Sequence, residues 1–217
     1  LKLANWADKA GKDHNATQAT AFRQPTIRAD QLPERPGLNL LRFDGNQSLA
    51  FPTLNNGRTF FWVVNRGAGN SVNAAFMALE GTNYMANWGN NSHNAPFRYA
   101  FEYVNDGLQR RNGENRWLGS ASSFLTDLQV ISLRTTDFQP ADLIGNYFTG
   151  NIGEILVYDR ALSESEIRLV EQYLGSKWGI ALNQEPEVEA EAGLIGYWNF
   201  DEGEGTVIHD LSGNDRD

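Results

Sequence analysis

Five apolar residues in succession, Phe60 to Val64, put the strongest constraint on what this chain can fold into. They lie within the segment RTFFWVVNRG, residues 58–67, which is rich in aromatic and β-branched residues. Such residues favour strands, and the side chains of a strand alternate between its two faces. Because both faces are apolar here, we predict a strand that is covered by protein on both sides.

Other segments with strand patterns surround this one, and Gly, Asn and Asp turns separate them. A chain of 217 residues, of which 41% are hydrophobic, can bury the core of one all-β domain of ordinary size. We therefore predict an all-β fold, a two-sheet antiparallel jelly-roll sandwich. The predicted strand segments are residues 37–45, 58–67, 74–81, 97–107, 115–121, 128–137 and 150–162.

One C-terminal capping helix is predicted over residues 162–180. Ser163 followed by Glu166 forms the pattern of a capping box, which satisfies two backbone amides at a helix start. Apolar residues then recur at spacings of three and four, so one stripe of the helix must pack on something. The stripe favours a lid on the sandwich, and a partner-docking surface is the alternative. Its members are Ile167, Val170, Leu174 and Trp178.

The net charge of −9 lies entirely in the last part of the chain. Residues 1–182 contain 17 Lys and Arg and 17 Asp and Glu, whereas residues 183–217 contain one Arg and ten acidic residues. The neutral body lacks the basic surface of a nucleic-acid-binding protein. In residues 183–192, Glu alternates with Pro, Val and Ala, which predicts an extended acidic linker, with a metal-buffering strip as the alternative.

A short turn near the start of the chain is repeated near its end. Residues 8–13 read DKAGKD and residues 210–215 read DLSGND. The repeat predicts that residues 193–217 are the truncated start of a second, similar domain, and that residues 1–182 form a sandwich without its opening strand. Residues 194–200 have a strand pattern, and we expect them to dock on the free sheet edge of the body.

The sequence lacks the residues that several classes of chemistry require. The chain has no cysteine, which excludes disulfides and thiol catalysis, and no apolar run long enough for membrane insertion. We find no paired carboxylates alternating along a strand, as glycosidases of sandwich fold use, and no Gly-x-Ser-x-Gly motif. The histidines His14, His93 and His209 lack zinc-ligand spacing. We therefore predict that the protein is not an enzyme.

Residues 150–180, GNIGEILVYDRALSESEIRLVEQYLGSKWGI, resemble the closing strand and terminal helix of laminin G-like jelly-roll domains in the concanavalin A-like lectin and glucanase superfamily. Residues 5–26 and 41–51 resemble the opening segments of the bacterial members, and residues 193–215 are similar to the start of a second copy. The resemblance implies curved sheets, calcium at the rim, and neighbouring repeat domains in the same chain. It also implies an extracellular or cell-envelope protein that binds glycans or other ligands.

The first turn offers oxygen atoms of the kind that Ca²⁺ prefers. Asp8, Asp13 and Asn15 lie in it, and Asp44 of a Phe-Asp-Gly turn could join them in space. We predict a calcium site from these four residues. Related domains commonly have further acidic residues after the Phe-Asp-Gly turn, whereas residues 46–48 are Asn-Gln-Ser here. The alternative is that the aspartates only stabilise the turn through bonds to the backbone.

An Asn-rich loop, residues 83–97, is the predicted ligand surface. Aromatic rings cover the apolar faces of sugars, while Asn amides both donate to and accept from hydroxyl groups. Residues 110–119 add arginines that could bind acidic sugars. The alternatives are core packing for the aromatic residues and turn chemistry for the asparagines. The predicted ligand-binding residues are Tyr84, Trp88, Asn90, Asn91, His93, Arg116 and Trp117.

These expectations combine into one functional prediction, a non-catalytic extracellular module that binds a glycan or another cell-surface ligand with the assistance of Ca²⁺. The second hypothesis is an adhesive or structural spacer that binds protein. The third is a divergent glycoside hydrolase.

Overall fold

A computed structural model describes most of residues 1–183. The chain divides into two units, residues 1–183 and residues 184–217, and the second lies outside the described residues. The predicted linker, the strand 194–200 and the second domain therefore stay predictions. No helix of the described part is both long and apolar enough to cross a membrane. The described residues are 1–29, 32, 34–67, 74–80, 86–88 (backbone only), 97, 104, 106–116, 118 and 126–183.

The described part is built from antiparallel strands, with one α-helix at its C-terminal end. A single turn of 3-10 helix, Ala21–Arg23, precedes the third strand. The strands are β1 (Asn5–Trp6), β2 (Ala16–Thr17), β3 (Thr26–Arg28), β4 (Leu40–Asp44), β5 (Leu49–Arg66), β6 (Ala74–Ala78), β7 (Ala86–Trp88), β8 (Leu108–Arg111), β9 (Glu114–Asn115), β10 (Gln129–Asn146) and β11 (Thr149–Tyr158), and the helix is α1 (Glu164–Trp178).

Strands β5 and β10 form the centre of the sheet, and each is 18 residues long. They pair with each other along most of their length, and β11 pairs with the other edge of β5. The first part of β10 also pairs with β8 and its last part with β6. The main path is β3-β4-β11-β5-β10-β6-β7, so the described strands belong to one hydrogen-bonded sheet.

Both central strands are longer than the predicted segments 58–67 and 128–137. The additional residues include Pro52 and Pro140, and proline in a sequence usually marks a strand edge or a break. The pairing of β10 with β5 shifts register three times between Arg134 and Leu143. Such bulges accommodate a residue that cannot donate to the ladder, so the strand continues where local preferences predict a turn.

The apolar run from Phe60 to Val64 is buried on both faces, as predicted. All five side chains from Phe60 to Val64 are fully buried. Phe60, Trp62 and Val64 belong to the main core, whereas Phe61 and Val63 belong to a second cluster beneath α1. The helix therefore covers a face of the sheet. The all-β class with one C-terminal helix is confirmed, and the two-sheet jelly roll stays a prediction.

Helix α1 begins and ends as its sequence indicates. Ser163 forms the predicted capping box with Glu166, and Gly179 ends the helix in the left-handed conformation with a φ of 70°. Ile167, Leu174 and Trp178 are buried against the sheet, with the partly buried Val170 packed beside them. The apolar stripe thus faces the core.

A buried ion pair connects α1 to the sheet below it. Arg110 of β8 donates from Nε to Oε1 of Glu171 at 3.0 Å and from Nη2 to Oε2 at 3.1 Å. Ser132 of β10 donates to the same carboxylate, and Arg110 also donates to Asn115 and to the carbonyl oxygen of Gly113. Because Glu171 is fully buried, these bonds replace the water that the carboxylate loses on folding.

Glu166 makes the start of α1 sensitive to acid. Hydrogen bonds from Arg160, and then from the backbone and side chain of Ser163, lower the pKa of Glu166 from 4.5 to about 2. Because this pKa is depressed on folding, the stability that it confers is complete above pH 4.5 and is lost as the pH falls toward about 2. Urea unfolding is therefore expected to show that Glu166→Gln is less stable than the parent near pH 6, with the difference vanishing near pH 2. The exposed Glu164→Gln serves as the control, and a difference that persists unchanged at pH 2 would contradict the assignment.

Candidate functional site

A pocket of about 430 Å³ opens where three turns meet at one edge of the described domain. It lies between the turn joining β4 to β5, the turn joining β10 to β11, and the 3-10 helix. We call it the three-turn pocket. Its lining residues are Phe22, Arg23, Gly45, Asn46, Gln47, Ser48, Gly145, Asn146 and Tyr147.

Two glycines shape the floor of the three-turn pocket. Gly45 has a φ of 92° and Gly145 a φ of 83°, a region that favours glycine. A Cβ atom on Gly145 would lie 2.3 Å from the ring of Phe43, so the end of β10 must keep a glycine to approach the core this closely. The backbone N–H of Gly45 donates to the carbonyl oxygen of Phe148 at 2.9 Å, which joins the two turns.

Hydrogen bonds also fix the third wall of the pocket. The N–H of Ser48 donates to the carbonyl oxygen of Arg23 at 3.0 Å. Gln18 donates from Nε2 to the carbonyl oxygen of Ser48 at 3.1 Å, and Gln24 donates to the carbonyl oxygen of Gln18 at 2.9 Å. In the β4–β5 turn, Gln47 accepts from the backbone N–H of Asp44 at 2.6 Å. The backbone around the pocket is therefore held in place before any ligand arrives.

Two aromatic side chains of the pocket are exposed to solvent. Phe22 is 71% exposed and Tyr147 is 57% exposed. Tyr147 also has a φ of 49°, which is uncommon for a bulky residue and costs free energy. Neither ring belongs to the buried core clusters. Exposed rings beside a concave surface are typical of binding sites.

The remaining lining residues are polar, and one of them is charged. Asn46 is exposed and Asn146 is half-buried, so both amides can reach a ligand in the pocket. Arg23 is exposed and has no ion-pair partner among the described residues. None of the nine lining residues is Asp, Glu or His, so the lining supplies hydrogen bonds, ring faces and one positive charge but no carboxylate or imidazole.

The residues that were predicted to bind Ca²⁺ do not line the three-turn pocket. The carboxylate of Asp8 accepts from the backbone N–H groups of Ala10 at 2.7 Å and Lys12 at 2.9 Å, and Asn15 accepts from the N–H of Asp8 at 2.9 Å. The N–H of Ala10 is the main reason that the pKa of Asp8 lies below its ordinary value of 3.8. These bonds are the turn-stabilising alternative that the sequence left open.

Another residue that was predicted to bind Ca²⁺ forms an ion pair with an arginine side chain. Asp44 accepts from Nε of Arg42 at 2.8 Å. Asp13 is exposed and adopts the left-handed conformation, with a φ of 59°. Within the described ranges, no group of three or more His, Cys, Asp or Glu side chains is arranged to hold a metal ion. Calcium binding stays a prediction.

Replacing Asp8 tests whether this turn binds Ca²⁺ or is only stabilised by hydrogen bonds from the backbone to Asp8. Asp8→Ala is expected to lower the free energy of unfolding by about 1–2 kcal/mol, because three backbone amides lose their acceptor. The loss is expected to be equal in Ca²⁺ and in chelator, as measured by urea unfolding, with Asp13→Asn as the matched variant. A stabilisation by Ca²⁺ that both variants abolish would instead establish the calcium site.

Most of the predicted ligand loop lies outside the described residues. Tyr84, Asn90, Asn91 and His93 of this loop, and Trp117 of the segment 110–119, are not among the described residues.

The other two predicted ligand-binding residues lie within the described part of the chain. Trp88 ends strand β7, and nothing is described of its side chain. Arg116 follows β9, where its Nη1 lies 3.7 Å from Oε2 of Glu114, and it does not line the three-turn pocket. The binding role of this loop stays a prediction.

Sequence reasoning missed the residues of the three-turn pocket. Phe22 is an isolated aromatic residue among polar neighbours, and Tyr147 follows a Gly-Asn pair, so both had the local signal of an exposed ring in a turn. No local pattern shows that these two turns meet, because more than a hundred residues separate them. Comparisons of the chain with protein-family models, with curated proteins and with solved structures found no match.

Proposed function

We propose that this protein is a non-catalytic saccharide-binding module and that the three-turn pocket is its binding site. The observation that carries the proposal is the pair of exposed rings, Phe22 and Tyr147, beside the amide side chains of Asn46 and Asn146. Rings stack on the apolar face of a sugar, and amides serve its hydroxyl groups. None of the nine lining residues is Asp or Glu, and because glycoside hydrolysis ordinarily uses a pair of carboxylates, this supports binding over hydrolysis.

On this proposal the chain is a laminin G-like jelly-roll domain of an exported, tandem-domain protein. The antiparallel sheet around one large core and the C-terminal helix support that fold. Strands β5 and β10 take part in different strand pairs at their two ends, as expected of a sheet that curls around its core. The ligand is a glycan of a cell surface or an extracellular matrix.

Removal of the rings tests the proposed site. Tyr147→Ala and Phe22→Ala are each expected to weaken saccharide binding about tenfold, which corresponds to about 1.4 kcal/mol for a lost ring contact. A glycan array followed by calorimetry on the ligands found provides the measurement. Phe138→Ala is the matched control, because Phe138 is 51% exposed but does not line the pocket. Equal affinities of all four proteins would refute the site, and release of reducing sugar would refute the non-catalytic assignment.

The second candidate function is adhesion to a protein partner. Leu169 and Tyr173 lie one turn apart on α1, and both are exposed. Such a pair can contribute to a helix-mediated contact. The double variant Leu169→Ala/Tyr173→Ala would then abolish attachment to a protein-coated surface while leaving saccharide binding unchanged.

A further inference from the structure

The three-turn pocket contains one positively charged side chain. Arg23 is the one charged residue among the nine that line the pocket. Other arginines have carboxylate partners: Arg42 with Asp44 at 2.8 Å, and Arg160 with Glu166 at 2.7 Å.

The nearest acid in sequence to the pocket does not neutralise Arg23. Asp44 directly precedes the lining residue Gly45, but its Oδ1 accepts from Arg42. No carboxylate of the described residues forms an ion pair with Arg23, so its positive charge is available to a ligand. The backbone of Arg23 is fixed by the bond from Ser48, so only side-chain freedom is lost when the guanidinium binds.

We propose that the three-turn pocket selects an acidic saccharide, with the guanidinium of Arg23 binding the carboxylate of a uronic or sialic acid unit while Phe22 or Tyr147 stacks on the ring. This inference rests on the proposed saccharide binding. A guanidinium presents two parallel N–H donors that match the two oxygens of a carboxylate. A neutral sugar of the same ring shape offers no such partner.

The charge distribution favours a single carboxylate over a dense polyanion. Residues 1–182 carry equal numbers of basic and acidic residues, 17 of each. A polyanion such as nucleic acid or a highly sulfated glycan requires several cations together. One arginine among neutral amides and rings suits one acid group on an otherwise neutral sugar.

Pairs of ligands that differ only in the charge of one group test whether the pocket recognises the carboxylate. Oligosaccharides of galacturonate, glucuronate and mannuronate, and a sialylated oligosaccharide, are compared with their methyl esters, which keep the ring and remove the charge. For the full chain at low salt, calorimetry is expected to show about tenfold tighter binding of at least one acid than of its ester. Added NaCl is expected to reduce this preference.

Two variants test whether Arg23 causes the preference for the acid over its methyl ester. Arg23→Gln is expected to bind acid and ester equally. Arg35→Gln replaces an exposed arginine that does not line the pocket, and this variant is expected to keep the full preference.

The outcomes separate this inference from the proposed function. Equal binding of acid and ester by the parent protein, or an acid preference that survives in Arg23→Gln, would overturn the acidic-ligand assignment and leave saccharide binding intact. A preference for sulfated over carboxylated sugars would also overturn it. Failure of every saccharide to bind would overturn both.

Discussion

Glu171→Ala is expected to lower the free energy of unfolding by about 3–5 kcal/mol, because it leaves the buried guanidinium of Arg110 without its counter-ion. Glu171 is fully buried and Arg110 is 2% exposed, so water cannot replace the lost partner. The hydroxyl group of Ser132 loses its acceptor as well. The loss should appear in urea unfolding at neutral pH, monitored by circular dichroism.

Two further variants give this expectation its controls. Glu164→Ala removes an exposed acid from the same helix and is expected to change the stability by less than about 0.5 kcal/mol. The double variant Arg110→Met/Glu171→Leu removes both charges, and such apolar replacements of a buried pair are often neutral or stabilising. Recovery of most of the lost stability in the double variant would show that the isolated charge causes the damage. A Glu171→Ala protein as stable as Glu164→Ala would contradict the role of the pair.

Trp62→Ala is expected to cost about 3–5 kcal/mol, since it opens a cavity in the main core. The indole of Trp62 stacks on Phe60 with the ring centroids 5.6 Å apart, and it packs edge to face with Phe76 with the centroids 5.2 Å apart. It is also one of the fully buried side chains of the central strand β5. Its loss therefore removes contacts with several rings at once.

A smaller replacement separates packing from hydrogen bonding at this position. The indole Nε1 of Trp62 has no hydrogen-bond partner in the described part of the chain, so Trp62→Phe loses volume but no hydrogen bond. We expect it to cost only about 1–2 kcal/mol. Phe22→Ala, at an exposed ring, is expected to leave the stability within about 0.5 kcal/mol of the parent. A Trp62→Phe protein as unstable as Trp62→Ala would indicate an unrecognised polar contact of the indole.

Helix α1 shows what local chemistry makes predictable. Its capping box and its apolar stripe both involve residues within a few turns of one another, so their spacing alone predicts the start and the buried face. The same holds for residues 60–64, where the period of a strand and the apolar run predict burial on both faces. These predictions are confirmed because their causes lie inside the segment concerned.

Strands β5 and β10 show where local reasoning ends. Their proline-containing halves favour breaks when considered alone, yet pairing with neighbours on both sides extends them to 18 residues. Glu171 is a similar case. On the helical pattern it is one more acidic residue, and only the approach of Arg110, 61 residues earlier in the chain, makes it part of the core.

The amino-acid sequence by itself determined the strand-forming character of this protein, its capped helix and the face of that helix that is buried. All of these follow from side-chain periodicity and from hydrogen bonds between near neighbours. Only the tertiary structure decided the length of the central strands, the partner of the buried carboxylate and the meeting of Phe22, Asn46 and Tyr147 at one pocket. The physical reason is that these features depend on contacts between distant segments, which exist only once the sheet has brought its turns together.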